Sequence, residues 1–200
     1  MPFISAKAST SASTSFYQIR GATAHLGIST LIQKKALQLV QQHKKVLIVD
    51  ALLGLKNMPI AIKNPSKLSD FFKGIIPLSE LIISHKGIDI ISGISQQNIN
   101  ALPPLQKNKI KQDLMLLATN YDVVLIDIPY NVTHPLFEEL GTTYWVVSLD
   151  KGILLNTLKM AQTDAPYLIL NDKASASQLN DFICFLKVLA PKCHLETHFI

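Results

Sequence analysis

Two aspartates stand at the ends of apolar runs, where a pair of carboxylates could do chemistry. The runs are VLIVD, which ends at Asp50, and DVVLID, which ends at Asp127. Continuous apolar runs of this length are typical of parallel strands that are buried on both faces. We therefore predict two buried strands and expect Asp127 to lie beside Asp50 in one sheet.

A loop with two glycines, RGATAHLG, lies upstream between a strand-like run, FYQI, and a helical pattern that begins at Ser29 or Thr30. Free backbone N–H groups and the helix dipole make such a loop a favourable place for a phosphate group. The loop does not fit the phosphate-binding pattern G-x-x-x-x-G-K-[ST]. Gly21 and Gly27 do not have its spacing, and Ile28 stands at the lysine position. This departure is the main functional clue in the sequence.

Strand and helix patterns alternate along the chain, which predicts an α/β fold. We expect a three-layer, doubly wound and mostly parallel sheet with helices on both faces. The loop is followed by a helix that two lysines, Lys44 and Lys45, close. Further helices are predicted at 66–74, 77–84, 105–118, within 130–141, at 151–162 and at 175–190. Further strands are predicted at 87–95, 142–150, 166–172 and 194–200, and residues 51–66 are expected to be rich in turns.

Several segments follow the order and spacing of one known family. Residues 23–30, TAHLGIST, stand where that family has KGGVGK[ST]T, and DALLGLKN stands where it has DADLGLAN. NYDVVLIDIP is similar to its YDVVLIDTP, and APYLILND to its strand ending in Asn-Arg; residues 67–82 and 87–95 continue the likeness. Over residues 16–200 the chain thus resembles the MinD/ParA class of P-loop ATPases, and most of all the flagellar-number regulators FlhG and FleN.

The resemblance implies a site for ATP and Mg²⁺ at the loop. The residues implied to bind the nucleotide are Gly27, Ser29, Thr30 and Asn171. The residues implied to hold the metal ion are Thr30, Asp50 and Asp127. Each position also has a structural interpretation, because a hydroxyl side chain at a helix start serves as an N-cap and an aspartate after a strand caps the next turn.

The charged residues of the family are missing from this site. Thr23 replaces its signature lysine, His25 its second glycine, Ile28 its phosphate-binding lysine, and Leu52 the aspartate tied to the attacking water. Phosphoryl transfer depends on positioning and charge stabilisation, so these losses predict weak or absent ATPase activity. We therefore assign no catalytic residue and no firm cofactor, with ATP and Mg²⁺ left as the open alternative.

Three functions remain open from the sequence. The first is a catalytically degenerate relative that acts through protein contacts, with a partner from the flagellar or pilus assembly machinery. The second is an ATP-binding spatial switch with weak or partner-assisted activity, in which Arg20, Lys56 or Lys151 replaces the lost lysine. The third is a nonspecific DNA-binding accessory protein. A homodimer stays open, because ATP and the signature lysine hold the dimer in the family.

Composition argues against a membrane span and against a nucleic-acid reader. The hydrophobic fraction is 48% and the mean hydropathy +0.25, yet no apolar run reaches the roughly 18 residues that a spanning helix needs. The net charge is +5, but the lysines are dispersed and only one arginine is present. Cys184 and Cys193 have neither disulfide-framework nor metal-site spacing, which indicates a reducing, cytoplasmic environment.

The predicted domain organisation is simple. Residues 1–15 form a Ser/Thr-rich tail that is expected to be disordered, and residues 16–200 form one α/β domain. We expect an architecture without the basic amphipathic helix that many members of the family carry as a membrane anchor after such a strand. We expect a cytoplasmic protein that a partner recruits to the membrane or cell pole.

Overall fold

A sheet of eight strands forms the middle layer of the computed structural model, which describes residues 13–24, 26–51, 65–128, 130, 134–137, 140–163 and 165–197. The strands are β1 (Ser15–Gly21), β2 (Val46–Asp50), β3 (Ile83–His85), β4 (Ile88–Ser92), β5 (Val123–Asp127), β6 (Thr142–Val147), β7 (Tyr167–Leu170) and β8 (His194–Glu196). Their order across the sheet is β3-β4-β2-β5-β1-β6-β7-β8. Only β3 and β4 are antiparallel among these described neighbours. The predicted mostly parallel sheet is confirmed.

Helices cover both faces of the sheet, which gives the predicted three layers. Helix α1 (Ile28–Gln41) packs on one face through the buried Leu31, Ile32 and Ala36. The other described helices pack on the opposite face. They are α2 (Pro65–Phe72), a 3₁₀ helix (Leu78–Leu81), α3 (Gln96–Asn100), α4 (Pro104–Ala118), α5 (Lys151–Ala161) and α6 (Ala176–Leu189).

The path of the chain across the sheet explains which face α1, α4, α5 and α6 take. Crossovers between parallel strands are right-handed, so the direction of the step decides the face. The step from β1 to β2 runs toward β3 and carries α1. The steps from β4 to β5 and from β6 to β8 run the other way and carry α4, α5 and α6. Strand β1 therefore lies where the order reverses, and ligands of open α/β sheets bind at the carboxyl edge there.

Successive side chains along each strand point to opposite faces of the sheet, so the two faces carry separate hydrophobic cores. Ile48 of β2 and its neighbour Leu125 of β5 face helix α1, whereas Val49 and Ile126 face the opposite layer. All four side chains are at most 1% exposed. Because both faces are covered, these strands are apolar throughout, and only their terminal residues carry charge.

The region 77–84 differs from the prediction of one short helix. It forms the 3₁₀ helix and then strand β3, which pairs antiparallel with β4. The turn between the two strands is Lys86-Gly87, with φ of 50° and 78°. Positive φ at both central residues gives the backbone twist that a tight hairpin needs. The helix prediction was wrong because a short apolar run does not by itself distinguish helix from strand.

Helix α1 begins one residue before Ser29, the earlier of the two predicted starts. Ile28 is its first residue, and Gly27 is the N-cap in a left-handed conformation with φ of 68°. Ser29 and Thr30 therefore lie in the first turn and do not cap the helix. The helix ends at Gln41, before the two lysines that were expected to close it.

Other parts of the sequence prediction fall partly outside the described residues. This holds for the predicted tail up to residue 12, for 52–64 within the turn-rich region, and for most of the predicted loop and helix at 130–141. Helix α3 was not predicted; the Ser95 side chain caps it by accepting a hydrogen bond from Asn98 N at 3.3 Å. Over the part of the chain that the structure describes, no helix has the length and apolarity needed to cross a membrane.

Gly141 provides a test of the packing at the start of β6. A Cβ at this residue would lie 2.2 Å from the backbone oxygen of Phe16, and φ is +70°. We expect Gly141→Ala to lower the free energy of unfolding by about 3 kcal/mol or more, because strain and a backbone clash add. Gly74→Ala is the control, since φ is +74° there but no atom lies within 4 Å.

Gly74→Ala carries only the conformational penalty, which is about 1 kcal/mol. Urea unfolding of the two variants and the wild type gives both values. Equal losses in the two variants would show that the contact between residue 141 and β1 is looser than described.

Candidate functional site

The two predicted carboxylates meet at the carboxyl edge of the sheet. Asp50 ends β2, Asp127 ends β5, and the two residues are direct neighbours in the register of these strands. Each residue is only 1% exposed. The prediction that Asp127 lies beside Asp50 is confirmed, and the sheet itself enforces this proximity.

Hydroxyl groups donate to both carboxylates. Ser29, in the first turn of α1, donates from Oγ to Asp127 Oδ2 at 2.6 Å. Ser92, the last residue of β4, donates from Oγ to Asp50 Oδ2 at 3.2 Å. Ser92 was not predicted from the sequence, although β4 ends beside β2 and the Asp50–Ser92 register brings the two side chains together. Thr30 is exposed and makes no side-chain hydrogen bond with the described residues.

Burial dominates the protonation of Asp127. It raises the pKa of this carboxyl from 3.8 to about 7; the hydrogen bond from Ser29 lowers the pKa, and the neighbouring charge of Asp50 raises it. Within the described part of the chain, no cationic side chain is among the groups that shift this pKa. Burial therefore favours the neutral form of Asp127 well above the usual titration range of an aspartate, which reduces its repulsion with Asp50.

The loop before α1 is held by contacts within the chain. Asn171, which follows β7, donates from Nδ2 to the carbonyl oxygen of Leu26 at 2.7 Å. A Cβ at Gly27 would lie 3.1 Å from the same Nδ2 atom, so a residue without a side chain suits the close approach. Asn171 thus contacts the loop directly, a role that the sequence analysis did not predict.

An aliphatic side chain takes the place of the lysine in the P-loop pattern. Ile28 packs against the core beneath α1. A Cβ at Gly21 would lie 3.0 Å from Ile28 Cδ1 and 2.8 Å from Leu26 Cδ1, so apolar atoms fill the space over β1. Thr23 is half-buried in the same loop, and His25 and Leu52 lie outside the described residues.

The two described candidates for a substitute cation contact aromatic rings. The Arg20 guanidinium lies 4.7 Å from the centre of the Trp145 ring, and Lys151 Nζ lies 4.7 Å from that of Phe185. In the register of β1, Arg20 shares a face with Trp145, whereas Asp127 shares the opposite face with Ile19. Lys56, the third candidate, lies outside the described residues.

The donors at this edge fit a hard cation better than a triphosphate. Carboxylate and hydroxyl oxygens are the ligands that Mg²⁺ prefers, and Asp50, Asp127 and Ser29 supply them. No cluster of three His, Cys, Asp or Glu side chains suited to a metal ion occurs among the described residues, so water or a ligand would complete the coordination. The loop offers backbone N–H groups at the start of α1 but has no lysine to neutralise phosphate charge.

Asp127→Asn tests the burial of this carboxyl. Because the pKa in the folded state, about 7, exceeds the reference value of 3.8, ionisation destabilises the fold. The contribution of Asp127 to stability is therefore most favourable below about pH 4 and falls on the order of 1.4 kcal/mol per pH unit as the pH rises toward 7. The amide variant removes this dependence and is expected to exceed the wild type in stability at pH 8.

The measurement is urea unfolding at several pH values between 4 and 8, expressed as the difference between variant and wild type. Asp181→Asn, at an exposed position on α6, is the control and is expected to follow the wild-type profile. Parallel profiles for Asp127→Asn and wild type would contradict the assignment of a raised pKa.

The fold is similar to those of several solved proteins. The kinase domain of the Escherichia coli tyrosine kinase ETK matches with a TM-score of 0.60 and 24% identity, covering 82% of this chain and 70% of that chain. The MinC:MinD cell division complex of Aquifex aeolicus matches with a TM-score of 0.67 and 15% identity, covering 91% of this chain and 79% of that chain. A ParA family ATPase from Chlorobium tepidum TLS matches with a TM-score of 0.66 and 18% identity, covering 91% of this chain and 83% of that chain.

No protein-family model and no curated protein sequence matches the chain. At identities between 15% and 24%, the structural similarities show the fold alone. The chain has the α/β fold of MinD/ParA-type P-loop NTPases, with a mostly parallel eight-stranded sheet between helices. The fold class predicted from the sequence is confirmed.

Proposed function

We propose that this protein is a catalytically degenerate member of the MinD/ParA fold that acts through protein contacts. Its task is the spatial or number control of a cell-surface machine, such as a flagellum or a pilus. It works in the cytoplasm, where a partner from the assembly machinery recruits it to the membrane or pole. The flagellar part of the proposal rests on the resemblance of the sequence to FlhG and FleN.

One observation carries the proposal: the loop has neither lysine of the family pattern, and contacts within the chain hold it. Ile28 packs into the core at the position of the phosphate-binding lysine, and the Ser29 hydroxyl donates to Asp127. A triphosphate brings several negative charges to this edge, where two buried carboxyl groups already lie. Without lysine, repulsion between these groups opposes binding and transition-state stabilisation alike.

Protein contact is a function that does not require nucleotide chemistry. A MinD of this fold was solved in complex with MinC, which supports protein contact as a working mode of the fold. The proposal therefore places the function of this chain in its surfaces and leaves the carboxyl edge a structural role.

An ATP-binding switch is the second candidate, and the cluster of oxygen donors favours it. Ser29, Asp50 and Asp127 converge beside the start of α1, as a magnesium-dependent site requires. Mg²⁺ bound there would neutralise the carboxylates and offer charge to a phosphate. In this candidate, a partner supplies the missing cation.

Isothermal titration with MgATP and MgADP, together with thermal melting, separates the two candidates. We expect no binding heat, no melting shift and no ATP turnover for the wild type. The double variant Thr23→Lys, Ile28→Lys returns both lysines of the pattern and tests whether charge alone is missing. A melting shift of several degrees in the wild type with MgATP, absent in Asp127→Ala, would overturn the nucleotide-free proposal.

A cellular test addresses the proposed task. Deletion of the chain from its host is expected to change the number or placement of flagella or pili, counted by electron microscopy. Complementation with Asp127→Asn is expected to restore the wild-type count, because the proposed function needs no metal-bound carboxylate. Failure of a well-folded Asp127→Asn protein to complement would favour the ATP-binding switch.

A further inference from the structure

The outward face of helix α4 carries large apolar side chains in contact with solvent. Leu105, the second residue of the helix, is 83% exposed, and Leu116, in its last turn, is 72% exposed. Ile75, in the turn that follows α2, is 66% exposed and lines one groove together with Leu116. Large apolar side chains exposed together on one surface indicate a contact site for another protein.

A groove of about 650 Å³ runs beside this face of α4. Helix α4 forms one wall from Gln106 to Asn120, a length of about 21 Å at 1.5 Å per residue. Phe71 and residues 74–79, which lead from α2 into the 3₁₀ helix, form the other wall. Both walls belong to the continuous described stretch 65–128. The groove therefore has the length to receive about four turns of a second helix.

Two opposite charges lie in the middle of this groove, about one helical turn apart. Lys109 and Asp113 both line it, and neither forms an ion pair with another residue in the described part of the chain. A lysine four residues before an acidic residue is the less favourable order for a pair within one helix. The two side chains are therefore available to opposite charges on a partner.

The residue pattern of α4 is complementary to itself when a second copy of the helix lies antiparallel to it. With residue 111 at the centre, Lys109 of each copy lies opposite Asp113 of the other. The same register brings Leu105 level with Leu116 of the other copy to within one residue. These two leucines are on one stripe of the helix, because eleven residues make about three turns.

We propose that α4 and its groove form the interface of a symmetric, antiparallel homodimer. Leu105 of each copy lies in the groove between Ile75 and Leu116 of the other, and two Lys109–Asp113 pairs fix the register. A second copy is the favoured occupant, because each charged and each apolar group then meets its complement twice. The dimer needs no nucleotide and uses no residue of the carboxyl edge, so the inference goes beyond the proposed function.

Sedimentation velocity of the full chain tests the dimer. Two helices and a groove wall make a small interface, so we expect reversible dimerisation with a Kd of about 1–100 µM. Leu116→Glu is expected to raise the Kd about tenfold or more, because it places a charge among apolar groups. Leu155→Glu, at a leucine of α5 that is 48% exposed, is the matched control and is expected to dimerise like the wild type.

Exchange of the two charges tests the antiparallel register itself. Lys109→Asp and Asp113→Lys each place like charges opposite each other, so each is expected to raise the Kd about tenfold or more. The double variant restores two opposite pairs and is expected to recover the wild-type Kd. An equimolar mixture of the two single variants is expected to form a heterodimer, because one copy then carries aspartate at both positions and the other carries lysine.

Three results would overturn the proposal. The first is a wild-type chain that stays monomeric up to about 200 µM, above the expected range of Kd. The second is equal dimerisation of Leu116→Glu and Leu155→Glu, which would place the interface elsewhere. The third is a double charge variant no tighter than the single variants, which would exclude the antiparallel register. All the substituted side chains are at least partly exposed, so the variants are expected to melt like the wild type, which circular dichroism checks.

Discussion

The candidate site depends on one constraint, which is that two carboxyl groups lie side by side inside a parallel sheet. Asp50 and Asp127 are neighbours by register and almost fully buried, and two such charges repel after losing their hydration. The P-loop pattern brings a lysine to such an edge. Here burial raises the pKa of Asp127, and the hydroxyls of Ser29 and Ser92 donate hydrogen bonds to the two carboxyl groups.

The same constraint explains the form of the loop. The Ser29 hydroxyl donates a hydrogen bond to Asp127, and Asn171 donates one to the Leu26 carbonyl in the loop. The side chain of Ile28 packs against the core beneath α1. These contacts connect the loop and the first turn of α1 to the ends of β5 and β7.

Much of the fold was predictable because its signals are local. The apolar runs before Asp50 and Asp127 specified buried neighbouring strands, and the glycine loop specified the start of α1 to within one residue. The β3–β4 hairpin was not predicted from the sequence, because its turn depends on positive φ at Lys86 and Gly87. Contacts such as Ser92–Asp50 and Asn171–Leu26 join residues 42 and 145 positions apart, and only the sheet order brings them together.

The edge strands at both ends of the described sheet are short. Strands β3 and β8 have three residues each, against seven in the central β1. A three-residue edge exposes few free backbone groups, so it is a poor template for strand addition by another chain, and intermolecular β-aggregation through these margins is disfavoured. Association with other molecules is thereby directed to side chains on helices, loops and clefts, where recognition depends on chemistry more than on backbone pairing.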